Sequence, residues 1–124
     1  MNPTHTPSDE EKIEEIVLLF QKAEAAIKKV ELTQNELIVP AVNQLRYAGC
    51  HLIRYLKNSE DNDQLDDVAR HCKRSAYDAF ESGIVFSLLE YRKFQADYSK
   101  VIITEVVPNY SKFQMNIDKA IEFI

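Results

Sequence analysis

The sequence is poor in turn-forming residues and has no long apolar run. Its 124 residues include only two glycines and four prolines, too few for the many tight turns of a sheet protein of this length. No apolar stretch approaches the roughly 20 residues that span a bilayer. The first residues also lack the charged-then-apolar pattern of a signal peptide. These absences predict a helical protein that does not enter a membrane.

Few cysteines and an excess of acidic residues limit the classes of function. With two cysteines and no export pattern, we expect reduced thiols and a cytoplasmic location. The formal net charge of −5 argues against a general nucleic-acid coat, so RNA binding would need a local basic patch. Glycine-rich phosphate and dinucleotide motifs and the Glu-x-x-His signature of di-iron bundles are absent. We expect no cofactor and no bound metal.

The first helix has a clear start. Residues 1–7 are polar, contain two prolines and are expected to be disordered. Ser8 and Glu11 form a capping box, in which side chains satisfy the backbone N–H groups of a first helical turn. Apolar residues then recur at three- and four-residue spacing in a single stripe. This pattern predicts a helix over about 8–31.

A second helix follows after another capping pattern. Thr33 and Glu36 repeat the spacing of a capping box, and an apolar stripe then continues to Lys57. Pro40 either kinks this helix or lies close to its true start. Gly49 lowers helix stability and is expected to mark a close approach by another helix.

Two further helical segments complete the chain. Asp63 opens a third helix whose apolar period lasts for more than thirty residues. From Ser99 we expect a helix that kinks at Pro108 and then resumes. Residues 8–124 are therefore predicted to form one all-α domain, an antiparallel four-helix bundle with long second and third helices. The sequence leaves open whether the natural chain continues past Ile124.

Basic and imidazole side chains cluster on both sides of the expected turn between the second and third helices. In an antiparallel hairpin centred near residue 60, facing residues have numbers that sum to about 121. This rule places His51 beside Arg70 and His71, and Arg54 beside Asp67. The candidate functional residues are Arg46, His51, Arg54, Arg70, His71 and Arg74.

A simpler interpretation of the same arginines is also open. Charged residues on bundle helices usually keep the surface soluble and pair with local acids. The nearby acids are Asp66, Asp67, Asp78 and Glu81. Arg74 and Asp78 are one turn apart, so we expect them to form an ion pair.

The Arg46-x4-His51 spacing on a helix resembles the R-x4–6-H motif of the HEPN superfamily of small helical bundles. Active members of that superfamily are metal-independent ribonucleases that act as dimers. The resemblance implies that Arg46 contacts a phosphate, that His51 transfers a proton, and that Arg54, Arg70, His71 and Arg74 bind RNA. An imidazole can transfer protons near neutral pH, and a guanidinium can hold a phosphate through two hydrogen bonds.

Two features depart from the pattern of active members. Tyr47 follows the arginine, where a polar residue is common, and the motif lies early in the chain. An Arg and a His five residues apart also lie about 140° apart around a regular helix, so they converge only through distortion or a dimer partner. The resemblance implies RNA binding or cleavage in bacterial stress response or defence, with an antitoxin as a partner. The alternative is a non-catalytic helical module for protein interaction or dimerisation.

Two further hypotheses concern the cysteines and the third helix. Cys50 and Cys72 neighbour the two histidines, which leaves a zinc site conceivable, although two buried free thiols are the preferred interpretation. A long third helix would leave a group of apolar side chains uncovered, which predicts a homodimer. These side chains are Ile84, Phe86, Leu89 and Tyr91.

Overall fold

A computed structural model describes residues 8–61 and 63–122, and every regular element in these ranges is a helix. The helices are α1 (Asp9–Gln34), α2 (Val39–Lys57), α3 (Asp63–Asp97), α4 (Ile103–Val106) and α5 (Tyr110–Ile121). They fall into two compact units, one ending at Gly83 and the other beginning at Ile84. The predicted all-α class is therefore confirmed. The expected disordered segment 1–7 lies outside the described residues.

A side-chain hydrogen bond defines the start of α1, and a left-handed asparagine defines its end. The Ser8 hydroxyl accepts a hydrogen bond from the backbone N–H of Glu11 at 3.2 Å, as the capping pattern predicts. The predicted end near residue 31 and the second capping pattern at Thr33 are wrong. Thr33 stays helical, and its hydroxyl donates to the carbonyl of Lys29. Asn35 then ends α1 in the left-handed conformation with φ 56°, which asparagine tolerates better than most residues.

Pro40 lies in the first turn of α2, so the second of the two expectations for this proline is confirmed. α2 begins at Val39, directly before the proline. A backbone N–H in the first helical turn has no partner within the helix, so its absence in proline carries little cost. The helix continues without a break to Lys57.

The two glycines have opposite surroundings. A Cβ atom added to Gly83 of α3 would lie 3.1 Å from Cγ2 of Val30, so α1 approaches α3 closely there. A Cβ atom added to Gly49 of α2 would meet nothing within 4 Å. The expectation that Gly49 marks a close helix approach inside the chain is therefore wrong, and Gly83 has that role.

The core of the first unit consists of two clusters of mostly small apolar side chains. One contains Ile16, Ala48, Leu65, Val68 and Cys72, and the other contains Ala26, Ile27, Val30, Ile38, Ala41 and Ala79. Leu45 packs against both clusters and links them. The fully buried Ser75 donates a 2.7 Å hydrogen bond to the carbonyl of Ala41, which satisfies its hydroxyl inside the core.

Aromatic contacts hold the second unit together. The hydroxyls of Tyr91 in α3 and Tyr110 in α5 lie 3.1 Å apart, and the ring of Phe113 meets Tyr91 edge-on. Burial, followed by the bond to Tyr110, raises the pKa of Tyr91 to about 12. Tyr91 is thus covered by α5, whereas Ile84 and Leu89 of the predicted dimer surface are exposed. The predicted last helix instead forms the one-turn α4 and the separate α5.

Candidate functional site

His51 of α2 and His71 of α3 lie side by side in the first unit. Their ring centroids are 5.1 Å apart and the ring planes differ by 15°, so the two imidazoles are stacked. Tyr47 adds a tilted ring 5.6 Å from the ring of His71. The prediction that His51 lies beside His71 is confirmed.

A glutamine fixes each histidine. Nδ1 of His51 lies 2.7 Å from Oε1 of Gln64, and Nδ1 of His71 lies 2.8 Å from Oε1 of Gln44. An amide oxygen can only accept a hydrogen bond, so each Nδ1 donates its proton. The neutral rings therefore keep Nε2 as the free acceptor. Gln64 is itself fixed, because its Nε2 donates to Oδ2 of Asp61 at 3.0 Å.

The surroundings of His71 favour its neutral form. Asp67 places Oδ2 3.6 Å from Nδ1 of His51 and binds Arg70 through its other oxygen at 2.9 Å. Burial lowers the pKa of His71, and the positive charges of His51 and Arg70 lower it further, against the weaker opposite effect of Asp67. His71 is therefore a neutral imidazole near pH 7.

The arginines of the candidate set mostly follow the simpler interpretation. Arg70 pairs with Asp67, and Arg74 pairs with Asp78 at 3.0 Å, the second as predicted. Arg74 also lies over the ring of Tyr77, 5.2 Å from its centroid. Arg54 is exposed, and among the described residues no ion pair joins it to Asp67. The placement of Arg54 beside Asp67 stays a prediction, and the ion-pair partner of Asp67 is Arg70.

Arg46 and His51 do not meet within the chain. α2 is continuous from Val39 to Lys57, and the side chain of Arg46 is exposed and donates to Oδ1 of Asn43 at 3.3 Å. His51 instead contacts Gln64 and His71 of α3. The geometry agrees with the angular separation expected for a spacing of five residues.

The two cysteines have different environments. Cys72 is fully buried, and burial raises the pKa of its thiol, whereas Cys50 is exposed. The preferred interpretation of two buried thiols is thus right for Cys72 and wrong for Cys50. Across residues 8–61 and 63–122, no group of three or more His, Cys, Asp or Glu side chains could hold a metal ion.

Sequence reasoning missed the partners that fix the histidines. Gln44 and Gln64 each face a histidine at a residue sum of 115, and Asp67 faces His51 at a sum of 118. The rule of about 121 was therefore too high by several residues for these contacts. The connection itself is centred at residue 60, as the rule assumed, and the stacked His51 and His71 sum to 122, so the shift belongs to the longer side chains that reach along the helices.

The first unit also exposes a second feature, an apolar surface formed by α1 and α2. Ile53 and Leu56 of α2 are 68% and 73% exposed, far more than expected for stripe residues of a closed bundle. We call this surface the open face. Its exposed residues are Ile13, Val17 and Phe20 of α1 with Leu52, Ile53 and Leu56 of α2.

The contacts of α1 show where the open face lies. Asp9 accepts a 3.1 Å hydrogen bond from the hydroxyl of Tyr55, so this side of α1 meets α2. Ile13 and Phe20 follow Asp9 at helical spacing and lie on the same side. α1 meets α3 through other residues, including Lys12, which pairs with Asp66 at 3.2 Å. The open face therefore lies along the contact between α1 and α2, on the side away from α3.

Comparison with known proteins gives no relative of this chain. No protein-family model, no curated protein and no solved structure matches it significantly. In the part of the chain that the structure describes, no helix is both long and apolar enough to cross a bilayer.

Proposed function

We propose that this chain is a non-catalytic helical module that binds protein through the open face. The observation that carries the proposal is the exposure of Ile53 and Leu56, each more than two thirds exposed. The contact between Tyr55 and Asp9 and the helical spacing put them near further apolar residues of α1. Contiguous apolar patches of this kind on a charged protein typically mark interaction sites. The antiparallel four-helix arrangement and the cytoplasmic location expected from the sequence stay predictions.

The energetics of burial favour this function. Fully covering an isoleucine or leucine side chain contributes about 1.5–3 kcal/mol. A partner that covers Ile53 and Leu56 therefore gains several kcal/mol toward association before other contacts are counted. The side chains that would attract RNA offer less, because Arg70 and Arg74 are already paired with acids and the chain carries a net charge of −5.

In-cell photo-crosslinking tests the proposal. A photoreactive amino acid at Ile53 should give discrete protein adducts, since it would lie inside an interface. The same group at Glu81, which is exposed on α3, serves as the control and should give few. Equal adduct yields at both positions, or none at residue 53, would show that the open face is not a protein-binding surface.

RNA binding or cleavage of the HEPN-like kind is a second candidate function. It is favoured by the paired imidazoles of His51 and His71, which keep Nε2 free as an acceptor and lie close to Arg70. Under this proposal His51 transfers a proton, and Arg46 binds the phosphate from a second copy. An antitoxin would then be a natural partner.

Cleavage in the presence of EDTA tests the second candidate. Wild-type protein should cut RNA without added metal, and His51→Ala should abolish cutting while it changes the free energy of unfolding by no more than about 1 kcal/mol. Arg46→Ala should also weaken RNA binding in a salt-dependent way. A wild-type protein that neither binds nor cuts RNA would eliminate this function and leave the interaction module.

A further inference from the structure

We propose that the partner of the open face is a second copy of this chain, packed so that α1 of each copy lies against α2 of the other. The inference rests on the proposed function, because it names the occupant of the same face. What supports it is the distribution of charge along the two helices. An isologous interface requires a surface that is complementary to itself.

The two helices that form the open face carry opposite charge. α2 contains Arg46, Arg54 and Lys57 and no acidic residue. The first seven residues of α1 contain five acids and one lysine. The acids are Asp9, Glu10, Glu11, Glu14 and Glu15. One edge of the open face is therefore acidic and the other is basic.

The packing of α1 against α2 fixes the positions of these charges along the helix axes. The hydrogen bond between Tyr55 and Asp9 places the last turns of α2 beside the first turn of α1, in antiparallel order. A two-fold axis parallel to the helices leaves the height of each residue along the axis unchanged. It places α1 of one copy opposite α2 of the other. Lys57 of one copy then lies within about a turn of Glu10 of the other, and Arg46 lies about a turn from Glu14.

These charges are free to pair with another molecule. Among the ion pairs of the described residues, none involves Glu10, Glu14, Arg46 or Lys57. All four residues are exposed. Ion pairs across an interface contribute mainly to register and to the choice of partner. The apolar residues supply the attraction, and the charged edges align the two copies.

Gly49 adds a steric feature to the same surface. It precedes Leu52, Ile53 and Leu56 at helical spacing, and no atom lies within 4 Å of the Cβ that it lacks. A glycine inside a helix weakens that helix, and here no neighbour within the chain uses the space. A helix of a second copy can approach α2 closely at this point.

A second copy fits both edges, whereas a simple helical peptide fits one. An acidic amphipathic helix would match Arg46 and Lys57 but would repel Glu10 and Glu14 of α1, and a basic helix would have the reverse fault. Only a partner with one acidic and one basic edge satisfies both. The chain itself has that arrangement.

Sedimentation equilibrium over about 2 to 200 µM tests the pairing. Wild-type protein should reach twice the chain mass of 14.4 kDa. Leu56→Glu should remain monomeric, because a carboxylate would be buried in the interface. The control variant Lys93→Glu, which introduces a glutamate outside the open face, should dimerise as wild type does.

Charge exchange tests the proposed arrangement. The double variant Arg46→Glu/Lys57→Glu has two acidic edges, and Glu10→Lys/Glu14→Lys has two basic edges. Each should dimerise at least about tenfold more weakly than wild type, and an equal mixture should form heterodimers of near wild-type affinity. Homodimers of unchanged strength in either variant would overturn the two-fold arrangement.

Dye binding separates failure of this inference from failure of the proposed function. A wild-type protein that stays monomeric overturns the second copy as occupant. If that monomer binds the apolar dye ANS and Leu56→Glu does not, the open face is uncovered and another protein remains its partner. If the wild-type monomer binds no ANS, the open face is covered within the chain, and the proposed function fails as well.

Discussion

The two sides of α2 differ in how much of their surface the rest of the first unit covers. Toward α3, Nδ1 of His51 is hydrogen-bonded to Gln64, and the neighbouring Ala48 is buried in the core. Toward the open face, Ile53 and Leu56 contact little, and Gly49 borders empty space. One side of α2 is therefore packed within the chain, and the other is apolar and exposed. The packed side explains the fold, and the exposed side supports the proposed function.

Truncating one buried leucine and one leucine of the open face should give the largest difference in stability. Leu65 of α3 is fully buried, so Leu65→Ala leaves a cavity and should lower the free energy of unfolding by about 3 kcal/mol. Leu56→Ala removes an exposed side chain and should change the stability of the monomer by less than about 0.5 kcal/mol. Urea unfolding of both variants at low protein concentration measures the difference. Equal losses would mean that Leu56 belongs to the core.

The histidine side should show a smaller, pH-dependent effect. The folded protein lowers the pKa of His71, so the unfolded chain binds a proton more readily. This contribution to stability is complete above the unfolded value near 6.5 and decreases as the pH falls from there toward the lowered folded value. The urea midpoint should therefore decrease between pH 7.5 and pH 5.5 more in wild type than in His71→Gln. An identical decrease in both proteins would contradict the assigned environment of His71.

Substituting the two glycines by alanine should give the smallest changes in stability, and the two changes should differ in sign or in size. In a monomeric Leu56→Glu background, Gly49→Ala should stabilise α2 by roughly 0.5–1 kcal/mol, because the added methyl meets no atom. Gly83→Ala should gain less or lose stability, because its methyl would press on Val30 at 3.1 Å. Thermal or urea unfolding distinguishes the two variants. A larger gain at Gly83 would contradict the close approach of α1 to α3.

Local signals in the sequence predicted the elements well. The cap at Ser8, the start of α2 near Pro40 and the long α3 follow from short-range chemistry, which the sequence displays directly. The end of α1 was harder to place, because Thr33 suits both a cap and a helix interior. Asn35 decided the matter by adopting a positive φ.

Contacts between helices were predicted less well. The neighbourhood of His51 and His71 followed from antiparallel register, but the register did not predict that Asp67 pairs with Arg70 and approaches His51. The periodic stripe also could not show which apolar residues are covered. Ile16 is buried and Val17 is exposed, although both belong to the same stripe, because α2 and α3 cover only part of α1.

The most direct test of the account is an isotope-filtered NOE spectrum of a mixture of labelled and unlabelled copies. If the open faces pair as proposed, intermolecular NOEs should join methyl groups of Ile13 in one copy to those of Leu52 or Ile53 in the other, which the Tyr55–Asp9 contact places at nearly the same level. Intermolecular NOEs that involve only Ile84 and Leu89 would instead support the dimer surface expected from the sequence. That result, or the absence of intermolecular NOEs at concentrations well above 200 µM, would contradict the account.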